Sequence, residues 1–356
     1  MNGRRGRMMD AGAGPQVGII GAGVPIEMVI AAKALPLRIL PAAGPTPRAD
    51  AIIGGESAEV RALYEAAIAG RLAHLRLLVV TRQYEWLYYF LKEAVRRGDG
   101  DVPPLHIHDL IASTQPSTRR YNRQRLDRLA AALTRATGNP IDDGDLFAAI
   151  DLANTCRAGF RHLQAARDAG RASGTAAVRA VIRSATEPPQ AFADSIGSRI
   201  AALPAPPAGP RLLMLGSIPA DTGLHAAIEA SGVTIVAEDS EWGSRSAVPD
   251  IAPTGDPLET LLDATLAAAS GPDVTPRSAR LGWGEQAIAR RDIDAIIFAM
   301  PRSDHRFGWD YPTLRDCAAA YGKPALVLRD ETLLAPEAIT NAVSHFKATL
   351  DHQAVA

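Results

Sequence analysis

Glu27 is a carboxylate placed where a general acid or base could act. It follows Gly21-Ala-Gly-Val-Pro-Ile26, in the first turn of a predicted helix that begins soon after a short apolar strand. Ligands of parallel α/β sheets bind at the carboxyl ends of the strands, so a carboxylate here is a candidate acid–base group. The alternative is that Glu27 only interacts favourably with the positive end of the helix dipole.

Asp304 and His305 form a second candidate pair. They end the segment Met300-Pro-Arg-Ser-Asp-His305, which follows a predicted strand at Asp294–Ala299. A carboxylate and an imidazole could act as a catalytic dyad or supply half of a metal site. Adjacent residues rarely face one ligand except on a loop, so an ordinary structural role remains the alternative.

A polar loop, Glu238-Asp-Ser-Glu-Trp-Gly-Ser-Arg245, follows another predicted strand. Glu241, Gly243 and Arg245 are candidate substrate-binding residues because acidic, glycine and arginine residues at a strand's carboxyl end mark the ligand edge of such sheets. A structural ion pair between Asp239 and Arg245 explains the same loop equally well.

The glycine-rich segment near the start invites comparison with dinucleotide-binding proteins. Gly21 and Gly23 fit the first two positions of G-x-G-x-x-G, but Ile26 occupies the third, and no acidic residue ends the next strand. A tight strand-to-helix turn is therefore the simpler interpretation. The sequence also has no P-loop, G-x-S-x-G or H-E-x-x-H motif.

Four arginines begin the helical middle of the chain: Arg119, Arg120, Arg123 and Arg125. Such a run is usually a solvated helix face. It could alternatively bind the phosphates of a nucleotide-like ligand.

Composition excludes several classes of protein. The net charge is −1, so no overall positive field attracts nucleic acid or anionic lipid. No apolar run approaches the length of about 20 residues that a membrane span needs. Two cysteines, Cys156 and Cys317, cannot form a disulfide framework or an all-cysteine metal site, and both lie within predicted helices as small buried residues.

Strand and helix signals alternate in the first and last thirds of the chain, whereas the middle is helical. We predict an α/β protein with two Rossmann-like parallel-sheet lobes and an intervening helical segment. Asp50–Ile53 is predicted to be a strand. The predicted boundaries are a flexible tail (1–15), a first lobe (16–117), the helical segment (118–203), a Pro-rich linker (204–210) and a second lobe (211–356).

Several segments occur in an order found in a known family. They are Pro25–Leu40, Asp143–Arg157 with an Asn154-x-x-Arg157 pattern, the Glu238–Arg245 loop and Asp294–Leu328. In these segments the chain resembles the 2-hydroxyacyl-CoA dehydratase subunits, typified by the 2-hydroxyglutaryl-CoA dehydratase D-component and related to benzoyl-CoA reductase subunits.

The resemblance implies a [4Fe–4S] cluster, held between the lobes by three cysteines of each catalytic subunit. The corresponding positions here are Ser57, Tyr84 (or Gln83, if the register differs by one residue) and Asp304, and none is cysteine. Because such clusters need thiolate ligands, we expect no cluster on this chain. A cysteine-complete sister subunit would hold the cluster, served by an ATP-dependent activator protein.

No apolar stretch precedes Val17, so we expect no secretory signal and a cytoplasmic protein. The resemblance further implies a hetero-oligomeric lyase subunit that acts on a CoA thioester, here without redox chemistry of its own. One alternative is a clusterless acyl-CoA-binding or regulatory module. Another is a repurposed enzyme in which Glu27, Asp304 and His305 perform acid–base chemistry.

Overall fold

Short apolar segments form two parallel β-sheets in the computed structural model of the protein. The structure describes residues 14–113, 115–252, 254–267, 277–301, 304–329 and 335–355, and for residues 305, 306 and 353–355 it describes only the backbone. The chain divides into two compact units. The first unit contains the described residues up to Leu110 and Tyr121–Ala149; the second contains Ile111–Arg120 and the described residues from Ile150 onward.

The first sheet belongs to the first unit. Its strands are β1 (Gln16–Ile20), β2 (Leu35–Arg38), β3 (Leu77–Thr81) and β4 (Leu105–His108). They are parallel, in the order β2-β1-β3-β4. The apolar run of β3 is buried throughout, as expected of a parallel strand covered on both faces.

The second sheet has the same arrangement. Its strands are β5 (Arg211–Gly216), β6 (Thr234–Glu238), β7 (Ala295–Ala299) and β8 (Ala325–Leu328). They are parallel, in the order β6-β5-β7-β8. The predicted α/β class with two Rossmann-like parallel sheets is thus confirmed.

Helices cover the first sheet and fill the middle of the chain. They are α1 (Ile26–Ala31), α2 (Pro47–Ile53), α3 (Ala58–Ile68), α4 (Glu85–Arg97), α5 (Pro116–Thr137), α6 (Asp143–Asp168), α7 (Gly174–Ser184) and α8 (Pro189–Ala201). Leu63 of α3 and Leu87 and Leu91 of α4 pack into one core with Leu78 and Val80 of β3. Burial of these apolar side chains is what holds the helices on the sheet.

The predicted strand at Asp50–Ile53 is wrong, because these residues end helix α2. Pro47 occupies the first turn, where a proline costs no helical hydrogen bond. Ala49 and Ile53, four residues apart, are both buried, which is the spacing of one helix face. The Glu65 carboxylate accepts hydrogen bonds from the backbone N–H groups of Arg48 and Ala49, each at 2.9 Å, and so stabilises the start of the helix.

Helices α5 and α6 each contribute residues to both units. Residues 204–210 have neither helix nor strand and lead from α8 into β5. The predicted flexible tail lies almost wholly outside the described residues, and the other predicted domain boundaries stay predictions.

Two groups of helices sandwich the second sheet. The helices that follow β5 are α9 (Gly223–Glu229), α10 (Pro257–Ala267), α11 (Arg277–Ile288), α12 (His305–Ala320) and α13 (Pro336–Val355). Ile228 of α9 and Val343 of α13 pack on one face of the sheet. Leu281 of α11 and Leu314 of α12 pack on the other. Within the described residues, none of the helices has an apolar stretch long enough to cross a bilayer.

Candidate functional site

Glu27 lies at the carboxyl end of β1. It is in the first turn of α1, and its side chain is only 2% exposed. A buried carboxylate that begins a helix at the ligand edge of a parallel sheet fits the predicted acid–base role and the dipole role equally.

The glycine-rich segment forms the tight turn expected between β1 and α1. Gly21 and Gly23 have φ angles of +91° and +77°, which side-chain-bearing residues rarely adopt. A Cβ atom on Gly21 would come within 1.9 Å of the Thr81 hydroxyl oxygen and 3.1 Å of the Tyr84 ring. Gly21 therefore allows the end of β3 to pack directly against the turn.

Thr81 and His108 are two further polar residues at this edge, which no sequence motif indicates. They pair in register at the carboxyl ends of β3 and β4, and each is about 3% exposed. Neither the Thr81 hydroxyl nor either His108 ring nitrogen has a hydrogen-bond partner among the residues that the structure describes. The sequence feature that could have indicated them is a polar residue at the last position of each strand.

The pKa of His108 is lowered to about 4, mainly by burial and in smaller part by nearby His106 and Arg125. The pKa of His106 is likewise lowered to about 4, first by burial and then by Arg125. Asp109 opposes both shifts. Both imidazoles are therefore neutral at neutral pH, and each can donate one hydrogen bond and accept one.

The arginine run at the start of α5 is largely engaged in ion pairs. Arg119 binds Glu259 and Asp263, and Arg123 lies 3.3 Å from Asp127. Arg125 binds Asp109, which also accepts a 2.6 Å hydrogen bond from the Tyr121 hydroxyl. These contacts favour the interpretation as a charged helix face over that of a phosphate site.

Two of the three residues that the resemblance places at cluster positions lie in the first unit. The exposed Ser57 is the N-cap of α3, and its hydroxyl oxygen accepts a hydrogen bond from Val60 N–H at 3.3 Å. The Tyr84 hydroxyl donates to the Glu59 carboxylate at 2.6 Å. The oxygens of both residues are thus used in local structure at the start of α3.

Asp304, the third such position, lies in the second unit beside the carboxyl ends of β5 and β7. Its carboxylate accepts a hydrogen bond from the Ser217 hydroxyl. It also accepts one from Phe307 N–H at 2.9 Å, which caps α12. The backbone of His305 begins α12, but its side chain lies outside the described residues. The predicted catalytic role of His305 therefore stays a prediction.

The loop after β6 is built around the buried Glu238. Both terminal nitrogens of the Arg167 guanidinium donate to its carboxylate, and Ser244 N–H donates to it at 2.7 Å. Although burial opposes ionisation, Arg167 and neighbouring His225 hold the pKa of Glu238 well below its usual range. A Cβ atom on Gly243 would lie 1.6 Å from a Glu238 carboxylate oxygen, so this glycine makes room for an internal ion pair.

Arg245 takes part in the structural pair that the sequence suggested. Its guanidinium donates to the Asp239 carboxylate at 2.7 Å, and both side chains are less than a tenth exposed. The same guanidinium stacks over the Trp283 ring, 4.6 Å from the centroid. Burial raises the pKa of Asp239, and Arg245 opposes that rise. Glu241, the remaining residue of the three predicted to bind substrate, is half-buried.

Asn154 and Cys156 lie on α6, and both make hydrogen bonds to backbone groups outside that helix. The Asn154 amide donates to the Ile251 carbonyl and accepts from Ile251 N–H, each at 2.8 Å, and Arg157 donates to its oxygen at 2.9 Å. The thiol of Cys156 donates to the Pro189 carbonyl at 3.4 Å. Within the described part of the chain, no three His, Cys, Asp or Glu side chains converge as metal ligands.

The chain matches the model of a known protein family. The family model described as 2-hydroxyglutaryl-CoA dehydratase, D-component, covers residues 22–339, which is most of the chain. None of the curated proteins matches the sequence.

Proposed function

Because the chain belongs to the 2-hydroxyglutaryl-CoA dehydratase D-component family, we propose that it is a subunit of a 2-hydroxyacyl-CoA dehydratase-like complex that binds a CoA thioester. The match over residues 22–339 carries this proposal. Two parallel sheets with polar residues at their carboxyl edges support it, since small-molecule ligands bind at that edge. We further propose that the complex works in the cytoplasm.

The residues at the cluster positions do not fit a [4Fe–4S] cluster. Iron–sulfur clusters are held by thiolates, whereas Ser57, Tyr84 and Asp304 offer oxygens that already bind other groups of the protein. The sequence holds only two cysteines, fewer than the three that the family uses. We therefore derive no redox step on this chain and assign the cluster to a cysteine-complete sister subunit, reduced by an ATP-dependent activator.

Within this proposal Glu27 is the acid–base candidate, because it is a buried carboxylate at a ligand edge. Glu241 is the candidate substrate contact of the loop after β6. Gly243 and Arg245 act through the loop, which they hold in place by accommodating Glu238 and by pairing with Asp239.

The decisive measurement is the iron and sulfide content after anaerobic purification, made on the chain alone and on the chain co-expressed with a cysteine-complete relative. We expect no bound sulfide on the chain alone and a brown complex with the relative. Thioester binding to both preparations is then measured by calorimetry. A full complement of iron and sulfide on the chain alone would show that the cluster positions are misassigned.

The alternative of a clusterless binding or regulatory module is favoured by the same engaged oxygens at the cluster positions. It predicts that the isolated chain binds acyl-CoA, forms no complex with the relative and supports no turnover. The third candidate, a repurposed acid–base enzyme, predicts measurable turnover by the isolated chain that Glu27→Gln abolishes.

A further inference from the structure

Two polar side chains at the carboxyl edge of the first sheet are buried without hydrogen-bond partners in the described structure. They are the Thr81 hydroxyl and the His108 imidazole. Leaving a buried donor unpaired costs free energy, and native proteins rarely do so without a bound water or ligand. Two such groups on neighbouring strands therefore need an explanation.

Both groups lie beside the same glycine turn. Thr81 and His108 are register partners, so their side chains are on the same face of the sheet. The Thr81 hydroxyl oxygen lies only 1.9 Å from the position that a Cβ atom on Gly21 would take. The Gly23 backbone is close enough to the His108 ring to favour its protonated form, although neither ring nitrogen reaches hydrogen-bonding geometry with a described residue. The two glycines of the turn therefore lie next to the Thr81 hydroxyl and the His108 ring.

The chemistry of the pair is that of neutral donors. Burial keeps His108 uncharged at neutral pH, against the opposing effect of Asp109 and with the support of His106 and Arg125. A neutral imidazole and a hydroxyl each offer one donor hydrogen, which suits an oxygen with free lone pairs. Metal binding is not favoured, since the described residues contain no convergent set of metal ligands.

We propose that Thr81 and His108, beside the glycine turn, form a binding site for a carbonyl or carboxylate oxygen of an acyl group. That the acyl group is attached to CoA rests on the proposed function, but the site itself does not. Both side chains bind the ligand directly, and their unpaired state in the free protein is relieved when the ligand oxygen arrives.

The test measures ligand affinity by calorimetry on the full chain with three probes: 2-hydroxyglutaryl-CoA, CoA with a free thiol, and free 2-hydroxyglutarate. Thr81→Val removes the hydroxyl with little change of shape, and His108→Leu removes the ring donor. We expect each to weaken thioester binding about 3- to 10-fold, the value of one neutral hydrogen bond, and to leave CoA binding unchanged. Thr81→Ser should restore affinity. His106→Gln, which changes the half-buried histidine two residues earlier on the same strand, is the matched control and should bind as the unmodified chain does.

A stability measurement separates this role from a structural one. Without ligand, Thr81→Val should melt at a higher temperature than the unmodified chain, because an apolar group of the same shape replaces an unpaired hydroxyl. A lower melting temperature would mean that the hydroxyl is already satisfied, by an ordered water for example, and would overturn the inference.

The three probes also separate failure of this site from failure of the proposed function. If the unmodified chain binds the thioester and both variants bind it equally well, the site is wrong and the function stands. If it binds only 2-hydroxyglutarate and the variants lose that binding, the site stands with a carboxylate ligand and the CoA proposal fails. If it binds none of the probes, both are overturned.

Discussion

Mild acidification should destabilise this protein through two histidines that it keeps neutral. The pKa of both His106 and His108 is lowered to about 4, from an ordinary value of 6.5, mainly by burial. The unfolded chain therefore takes up protons at a higher pH than the folded chain. Their contribution to stability is fully present above pH 6.5 and is lost as the pH falls from 6.5 towards 4.

The size of the effect follows from the two pKa values. At about pH 5 each histidine is almost fully protonated in the unfolded chain and mostly neutral in the folded one, which corresponds to about 2 kcal/mol of lost stability per group. Ordinary carboxylates in the unfolded chain are still mostly ionised at that pH, so the histidines dominate the change.

The assay is urea unfolding at about pH 7 and about pH 5, with the difference in unfolding free energy as the readout. His108→Leu should reduce that difference by about 2 kcal/mol, because the variant has no imidazole to protonate in the unfolded state. His74→Gln, which replaces an exposed histidine on the same unit, is the control and should retain the full difference. A His108→Leu variant with an unchanged pH dependence would refute the claim that burial holds this ring neutral.

Three further predictions concern stability, each measured by urea unfolding. Gly243→Ala should lower the free energy of unfolding by several kcal/mol, because its Cβ would lie 1.6 Å from a Glu238 oxygen. The control, Gly197→Ala at an open position on α8, should leave that free energy unchanged or raise it by about 0.5–1 kcal/mol. Equal effects of the two substitutions would contradict the steric argument. Arg167→Met should lower the free energy of unfolding by about 3–5 kcal/mol, because it leaves the Glu238 carboxylate buried and unpaired. Adding Glu238→Gln to this variant should recover part of the lost stability. A double variant without recovery would show that lost packing dominates. Ser57→Ala should cost about 1 kcal/mol by removing the cap of α3, and a variant that lost nothing would show that this hydroxyl does not cap.

The amino-acid pattern alone is enough to predict the fold class and most of the strands that build it. The apolar runs within Arg211–Gly216 and Leu77–Thr81 are recognisable because a strand buried on both faces needs little but apolar, mostly branched residues over a short length. The expectation that this chain holds no cluster also comes from the sequence, since two thiols cannot supply the three ligands that the resemblance implies, and it stays a prediction. The error at Asp50–Ile53 arose because a four-residue apolar segment fits a strand and a helix end equally, and only packing against α3 decides between them.

The roles of the polar residues depend on contacts between segments that are distant in the sequence. Gly243 leaves space for the Glu238 carboxylate, which accepts a hydrogen bond from Arg167 on α6. No local sequence pattern indicates this contact. The sequence left Arg245 open between ligand contact and ion pair, and the structure shows it paired with Asp239. Thr81 and His108 are adjacent because parallel strands far apart in the chain bring their carboxyl ends to one edge. Such pairings are set by strand register and burial, which the folded chain establishes over long sequence distances.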